Sequence, residues 1–97
     1  MSDQNNETVS VLNLPGLQTK RVAITAGASG IGFTIAQVLR DQGARVAICD
    51  ADGAALEKAS VELGDCLAVQ ADVSDDVDAF FDQVQARLGG LDALINN

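Results

Sequence analysis

Residues 21–32, RVAITAGASGIG, decide the fold of this chain. The first five letters are a short apolar run with β-branched residues, which predicts a β-strand. The glycine-rich turn at residues 25–32, TAGASGIG, follows this strand directly. A helix is predicted next, because four apolar residues recur at the spacing of one helical face. These residues are Ile31, Ile35, Val38 and Leu39.

The same strand–turn–helix pattern continues through the rest of the chain. Further strands are predicted at ARVAICD (44–50), CLAVQAD (66–72) and LDALIN (91–96), with helices at 52–63 and from about 75 to 88. Asp52 and Ser74 are the predicted N-caps of these two helices. The predicted helix-ending glycines are Gly43, Gly64, Gly89 and Gly90.

Strands that alternate with helices through short connections indicate right-handed βαβ units in a parallel sheet. The strands are nearly continuous apolar runs, which is typical of strands covered on both faces. The fold class is therefore α/β, with a parallel sheet over residues 20–97. Residues 1–19 are polar and aperiodic and contain the single proline, Pro15. We predict a flexible N-terminal arm there.

Composition excludes several classes of function. The chain of 97 residues has a formal charge of −8, and residues 41–97 carry twelve acids against three bases, which argues against nucleic-acid binding. No apolar stretch approaches the roughly 20 residues of a membrane span, and no secretory signal is recognisable. Cys49 and Cys66 lie in apolar runs and are predicted to be buried, reduced thiols of an intracellular, cytoplasmic protein. No metal site is expected, since the chain has no histidine.

The turn at residues 25–32 has the composition of a phosphate-binding loop. Glycines allow a ligand to approach the main chain closely, and the free N–H groups at the start of a helix point at an anion. A tight turn without a ligand is the alternative, because any strand-to-helix turn can use glycine. The position after the first strand and before a helix favours a nucleotide.

Asp50 ends the second predicted strand, eighteen residues after Gly32. A carboxylate there can accept hydrogen bonds from the two hydroxyls of an adenosine ribose, and it would repel a phosphate on the 2′ oxygen. An acid at this position favours NAD over NADP. Arg45 lies at the other end of the strand, so it is badly placed to offset the charge of Asp50. The alternative is a helix N-cap or a solvated loop acid.

Asp72 and Val73 end the third predicted strand. An acid at this point can meet the amino group of an adenine, with the following backbone contributing. A capping or turn role beside Ser74 is an equal alternative.

Taken together, these features resemble the N-terminal part of the short-chain dehydrogenase/reductase family, from about Leu12 to Asn97. The resemblance rests on TAGASGIG, on Asp50 after the second strand, on ADV at residues 71–73 and on the terminal INN. It implies a Rossmann-type, doubly wound sheet with strand order 3-2-1-4. The family's usual pattern is Thr-Gly-x-x-x-Gly-x-Gly at the turn and Asn-Asn-Ala-Gly after the fourth strand.

The resemblance implies a role for individual residues. Asp50 would bind the adenosine ribose, Asp72 and Val73 would border the adenine, Asn97 would lie along the cofactor, and Asn96 would brace the sheet. The residues expected to line the pyrophosphate are Gly27, Ala28, Ser29, Gly30, Ile31 and Gly32. One departure is Ala26, which stands at the family's first glycine, and we expect the neighbouring Gly27 to relieve the turn.

The resemblance also implies a longer protein, cut here inside the Asn-Asn-Ala-Gly motif. The family's catalytic serine, Tyr-x-x-x-Lys pair and assisting asparagine lie beyond the fourth strand, and this chain has no tyrosine. The 97 residues are therefore expected to bind the cofactor without performing the reaction. The intact protein is expected to transfer hydride between NAD and a small-molecule alcohol or carbonyl substrate, and to form a homo-oligomer.

Two other functions are alternatives. One is a naturally short, non-catalytic dinucleotide-binding or regulatory module, which would leave the very apolar fourth strand as an unpaired edge. The other is an S-adenosylmethionine-dependent methyltransferase, which also uses a glycine turn and an acid after the second strand; the turn spacing and INN disfavour it.

Overall fold

The computed structural model describes residues 20–97, so the predicted arm at residues 1–19 lies outside the described residues. Strands and helices alternate throughout this part of the chain. In order they are β1 (Arg21–Thr25), α1 (Gly30–Asp41), β2 (Arg45–Asp50), α2 (Gly53–Leu63), β3 (Leu67–Gln70), α3 (Val77–Leu88) and β4 (Ala93–Asn96).

The four strands form one parallel sheet in the order β3-β2-β1-β4. This confirms the predicted fold class and strand order. In the register, Thr25 at the end of β1 is level with Cys49 of β2 and Asn96 of β4, while Asp50 is level with Gln70 of β3. The carboxyl ends of the strands therefore meet at one edge, which brings the glycine-rich turn, Asp50 and the terminal asparagines together.

Helices cover the sheet on both faces, which explains why the strands are apolar throughout. On one face, Ile24 and Ile48 pack under α1 and α2. On the other face, Ala23 and Ala47 pack against Phe80 of α3. Successive residues of one strand thus enter different cores, as the pleat of a strand requires.

The buried face of α1 differs from the predicted one at its beginning. Ile31 is 72% exposed, whereas Gly32, Ala36 and Leu39 are buried. Ile31 lies in the first turn of the helix, at the carboxyl edge of the sheet, while the small Gly32 and Ala36 face inward. Ile31 is therefore a surface residue although it is apolar.

The predicted N-cap residue is confirmed for α2 and is wrong for α3. The Asp52 carboxylate accepts a hydrogen bond from the Ala55 N–H over 3.1 Å, as expected for an N-cap. The predicted cap at Ser74 is wrong, because α3 begins at Val77 after Asp76. Ser74 donates its N–H and hydroxyl to Asp72 instead. Positive φ angles are found at the predicted helix-ending glycines, which are Gly43, Gly64, Gly89 and Gly90.

β4 is the outer strand beside β1 in the described sheet, and its Leu94 side chain is 46% exposed. Arg45, at the start of β2, donates from its guanidinium to the carbonyls of Arg87 and Leu88 and so caps the end of α3. This contact holds Arg45 at the edge opposite Asp50. Within residues 20–97, no helix is long and apolar enough to cross a bilayer.

Candidate functional site

The turn after β1 takes its unusual backbone conformation at Ala26. This alanine has a φ of 52° and is the one non-glycine residue among residues 20–97 with a positive φ. Gly27 does not adopt a positive φ. The expectation that Gly27 would relieve the turn is therefore wrong, and the left-handed conformation falls on a residue with a methyl group, at a cost of roughly 1 kcal/mol or more.

Close packing around the turn leaves no room for a side chain at Gly27 or Gly32. A Cβ atom on Gly27 would lie 2.7 Å from Cγ2 of Ile48, so the glycine allows the turn to rest on β2. A Cβ atom on Gly32 would lie 2.5 Å from the Ala26 carbonyl oxygen and 2.5 Å from Nδ2 of Asn97. The two glycines thus bring the start of α1 against the ends of β1, β2 and β4.

The start of α1 carries backbone amides without a described partner. No residue within 20–97 accepts a hydrogen bond from the N–H of Ser29, Gly30 or Ile31, and these three residues are exposed. The Ser29 side chain, at the N-cap, makes no capping hydrogen bond. Gly30 has a φ of 60°, and the space where its Cβ would lie is open. An anion can therefore reach these amides at the positive end of the helix dipole.

Ala28 differs from its neighbours in the turn. Its side chain is buried, and its N–H donates to Oδ2 of Asp50 over 3.2 Å. Its amide is therefore directed at Asp50. Of the six residues predicted to line a pyrophosphate, Ala28 fixes the turn, while the amides of Ser29, Gly30 and Ile31 have no hydrogen-bond partner among residues 20–97.

Asp50 is half-buried and directly adjoins the turn. Its Oδ1 accepts from the Asp52 N–H over 3.0 Å, while its Oδ2 accepts from Ala28. The alternative of Asp50 as a helix N-cap is wrong, since Asp52 occupies that position in α2. An ionised carboxylate has about four acceptor positions, so two remain for further donors such as hydroxyl groups.

Asp72 and Val73 form an exposed corner after β3. The Asp72 carboxylate accepts from the Ser74 hydroxyl over 2.6 Å and from the Ser74 N–H over 2.9 Å. These hydrogen bonds hold the pKa of Asp72 below its usual value. The turn role considered for Asp72 is thus observed, and its second carboxylate oxygen has no partner among residues 20–97. Val73 is 43% exposed beside it.

The terminal asparagines hold the turn from the side of β4. The Thr25 hydroxyl donates to Oδ1 of Asn96 over 3.0 Å and accepts from the Asn97 N–H over 3.0 Å. Nδ2 of Asn97 donates to the Ala26 carbonyl over 3.0 Å. Asn96 therefore ties β4 to β1, and Asn97 lies directly against the turn.

Two residues of this edge are not among the predicted site residues. Thr25 is buried and links both asparagines, and its place before the turn was the available signal. Cys49 is fully buried next to the turn, where its carbonyl accepts from the Gly27 N–H over 3.1 Å. Burial raises the pKa of the Cys49 thiol. The sequence shows Cys49 as an ordinary strand residue, because the pairing of β1 with β2 is a tertiary contact.

A parallel sheet in the order 3-2-1-4, with a glycine-rich turn after its first strand, defines a Rossmann-type α/β protein. Residues 20–97 match the family model described as short chain dehydrogenase. The chain therefore belongs to the short chain dehydrogenase family.

Individual relatives agree with this assignment. The chain is 38% identical over 96 residues to a short chain dehydrogenase/reductase of Colletotrichum higginsianum, covering 93% of this chain and 36% of that protein. It also superposes on a short chain dehydrogenase from Bacillus anthracis with a TM-score of 0.77, at 38% identity, covering 84% of this chain and 35% of the other.

A second solved structure is the 3-ketoacyl-(acyl-carrier-protein) reductase from Brucella melitensis complexed with NADH. It has a TM-score of 0.75 at 40% identity, over 77% of this chain and 32% of that one. The chain spans between about a third and a half of the length of the curated relatives it matches first, at 36%, 51% and 33%.

Proposed function

We propose that this chain is the cofactor-binding part of an oxidoreductase that transfers hydride between a nicotinamide dinucleotide and an alcohol or carbonyl substrate. The observation that carries the proposal is the placement of the Asp50 carboxylate next to the exposed amides at the start of α1. The site combines donors for a pyrophosphate with acceptors for sugar hydroxyls, separated by the Ala28 N–H. Membership of the family and the NADH complex of the Brucella relative support the same reading.

The residues present fit such a cofactor. The amides of Ser29, Gly30 and Ile31 would donate to the pyrophosphate, and Asp50 would accept from the ribose hydroxyls. Asp72 and Val73 would border the adenine, and Asn97 would lie along the cofactor beyond the turn. When bound, a nicotinamide supplies the hydride chemistry. Residues 20–97 would bind and orient it.

We further propose that NAD is preferred over NADP. A 2′-phosphate would approach the Asp50 carboxylate, whose charge would repel it. Arg45 cannot offset this charge, because its guanidinium binds the end of α3 at the opposite edge of the sheet. No cation within residues 20–97 forms an ion pair with Asp50.

The proton transfers of the reaction would be performed by residues outside this chain. Tyrosine is absent from the 97 residues, and the family's Tyr-x-x-x-Lys pair would have to follow β4. We propose that the intact protein is a longer, cytoplasmic homo-oligomer that acts on a small molecule. The substrate-binding segments would also follow β4.

Calorimetric titration of the full-length protein with NAD, NADP and S-adenosylmethionine tests the proposal. We expect NAD to bind most tightly and NADP more weakly. Tightest binding of S-adenosylmethionine would refute the dehydrogenase assignment. Binding of NAD by a natural product of 97 residues, with no turnover of any alcohol, would instead favour the non-catalytic module.

A further inference from the structure

The short connection from β2 to α2 holds the Asp50 carboxylate from one side. Asp50 ends β2, where its carbonyl accepts from the Ala71 N–H over 3.1 Å. Its Oδ1 accepts from the Asp52 N–H over 3.0 Å. This N–H belongs to the peptide group between Ala51 and Asp52. The orientation of that one peptide group therefore decides whether Asp50 keeps the hydrogen bond to Oδ1.

Gln70 binds the other end of the same peptide group. It is level with Asp50 in the pairing of β2 with β3, and its Nε2 donates to the Ala51 carbonyl over 3.2 Å. The peptide is trans, and the C=O and N–H of a trans peptide group point in opposite directions. Gln70 therefore holds the carbonyl end of the group, while the Asp50 carboxylate holds its N–H end. A rotation that broke the hydrogen bond to Gln70 would also turn the N–H away from Asp50.

The packing of Gly53 gives a second, independent contact for the Gln70 amide. A Cβ atom on Gly53 would lie 2.9 Å from Oε1 of Gln70 and 3.0 Å from both its Cδ and its Nε2. The amide thus lies directly against the first residue of α2. Gly53 has no positive φ, so the feature that a side chain would disturb here is this close approach. The absence of a side chain at Gly53 leaves room for the Gln70 amide beside the connection.

We propose that Gln70 is a positioning residue for Asp50: its side-chain amide fixes the peptide group between Ala51 and Asp52, whose N–H holds the Asp50 carboxylate in the direction that would receive the ribose hydroxyls. Gln70 is uncharged, so it acts through the position of the carboxylate and leaves the charge of Asp50 as it is. This inference rests on the proposed cofactor site, and it assigns part of the preference for NAD to a residue of β3.

The test is calorimetric titration of the full-length protein with NAD and NADP. Gln70→Met keeps a side chain of similar length and removes the donor. It should weaken NAD binding roughly threefold to tenfold, the range expected for loss of one hydrogen bond. NADP binding should change less, because the charge of Asp50 remains. In the Asp50→Ala background the same change should cost less than about twofold, since no carboxylate is left to position.

Gln83→Met is the matched control, because Gln83 is an exposed glutamine within α3. It should leave the affinity for both cofactors unchanged. An equal loss from Gln70→Met with Asp50 and with alanine at that position would overturn the proposal, because Gln70 would then act independently of Asp50. An unchanged NAD affinity of Gln70→Met in the otherwise wild-type protein would overturn it as well.

Gly53→Ala tests the same contact from the side of α2. The added Cβ should displace the Gln70 amide, so we expect a loss of NAD affinity similar to that of Gln70→Met and no further loss when the two changes are combined. Additive losses would refute the positioning role. A wild-type protein that binds neither NAD nor NADP would refute the proposed function, and the role of Gln70 with it. NAD binding that Gln70→Met leaves intact would refute the role of Gln70 alone.

Discussion

Arg21 and Asp92 bind the beginning of β1 to the chain just before β4. The Asp92 carboxylate accepts from the Arg21 backbone N–H over 2.8 Å, from Nε over 2.9 Å and from Nη2 over 3.2 Å. In return, the Asp92 N–H donates to the Arg21 carbonyl over 2.8 Å. The pair thus fixes β4 at the amino edge of the sheet, while Thr25 and the asparagines fix it at the carboxyl edge.

This pair predicts how stability depends on pH. Arg21 lowers the pKa of Asp92 to about 2 from an ordinary value of 3.8. A carboxyl whose pKa is lower in the folded state stabilises the fold above its unfolded pKa, and this contribution is lost as the pH falls toward the folded value. We therefore expect Asp92→Asn to lower the free energy of unfolding at neutral pH. The difference from the wild type should begin to shrink as the pH falls toward 3.8 and should be lost as the pH falls through about 2.

Urea unfolding at a series of pH values checks this prediction. Asp41→Asn is a suitable control, since Asp41 is an exposed aspartate at the end of α1. A constant difference between Asp92→Asn and the wild type across the acid range would show that the charge of Asp92 does not contribute. Because both side chains of the pair are partly exposed, added salt should reduce the effect.

Asp50→Ala should weaken NAD binding and relax the discrimination against NADP. The change removes the acceptor for the ribose hydroxyls and the charge that would repel a 2′-phosphate. Asp50→Asn separates these two effects, because it keeps one acceptor oxygen and loses the charge. We expect it to recover NADP binding with a smaller loss of NAD affinity. Unchanged affinity of both variants for both cofactors would remove Asp50 from the site.

Asp50→Ala also removes a hydrogen bond of the turn, because the Ala28 N–H donates to the Asp50 carboxylate. Asp52→Ala is therefore the control. It removes the N-cap of α2, two residues away, and should lower stability by about 1 kcal/mol without changing the preference between NAD and NADP.

Gly30→Val should abolish dinucleotide binding. A Cβ atom at Gly30 would have no atom of residues 20–97 within 4 Å outside its own helix and chain neighbours, so a valine side chain would occupy the open space beside the amides that would receive the phosphates. Calorimetric titration with NAD checks the loss. The change also strains the backbone, because Gly30 has a φ of 60°.

Gly64→Val is the control that separates backbone strain at a positive φ from obstruction of the phosphate site. Gly64 has a φ of 78° and equally open surroundings, but it lies at the end of α2, away from the turn. Both variants should lose stability, by about 1–2 kcal/mol, and only Gly30→Val should lose NAD binding. Near-normal binding by Gly30→Val would argue against a phosphate site at this turn.

The order of elements and the strand order followed from the residues and from the family resemblance. Apolar strands, glycine-marked helix ends and the N-cap at Asp52 are local signals, so they are visible in the sequence. Two of the predictions that were wrong also came from patterns of residues close together along the chain. Ser74 is a residue type typical of a helix N-cap, but its hydroxyl donates to the nearby Asp72 carboxylate instead. Ile31 fitted a helical face, although the first turn of α1 lies at the edge of the sheet.

The sequence by itself determined the alternation of strands and helices, the placement of glycines after β1 and the presence of an acid after β2. These features depend on residues that are close together along the chain. Only the tertiary structure decided that Ala26 carries the left-handed turn, with Asn97 bound to its carbonyl and the Cys49 carbonyl bound to the N–H of Gly27. The reason is that strand pairing brings residues from β2 and β4 to the end of β1. Contacts between residues so far apart along the chain leave no periodic signal in it.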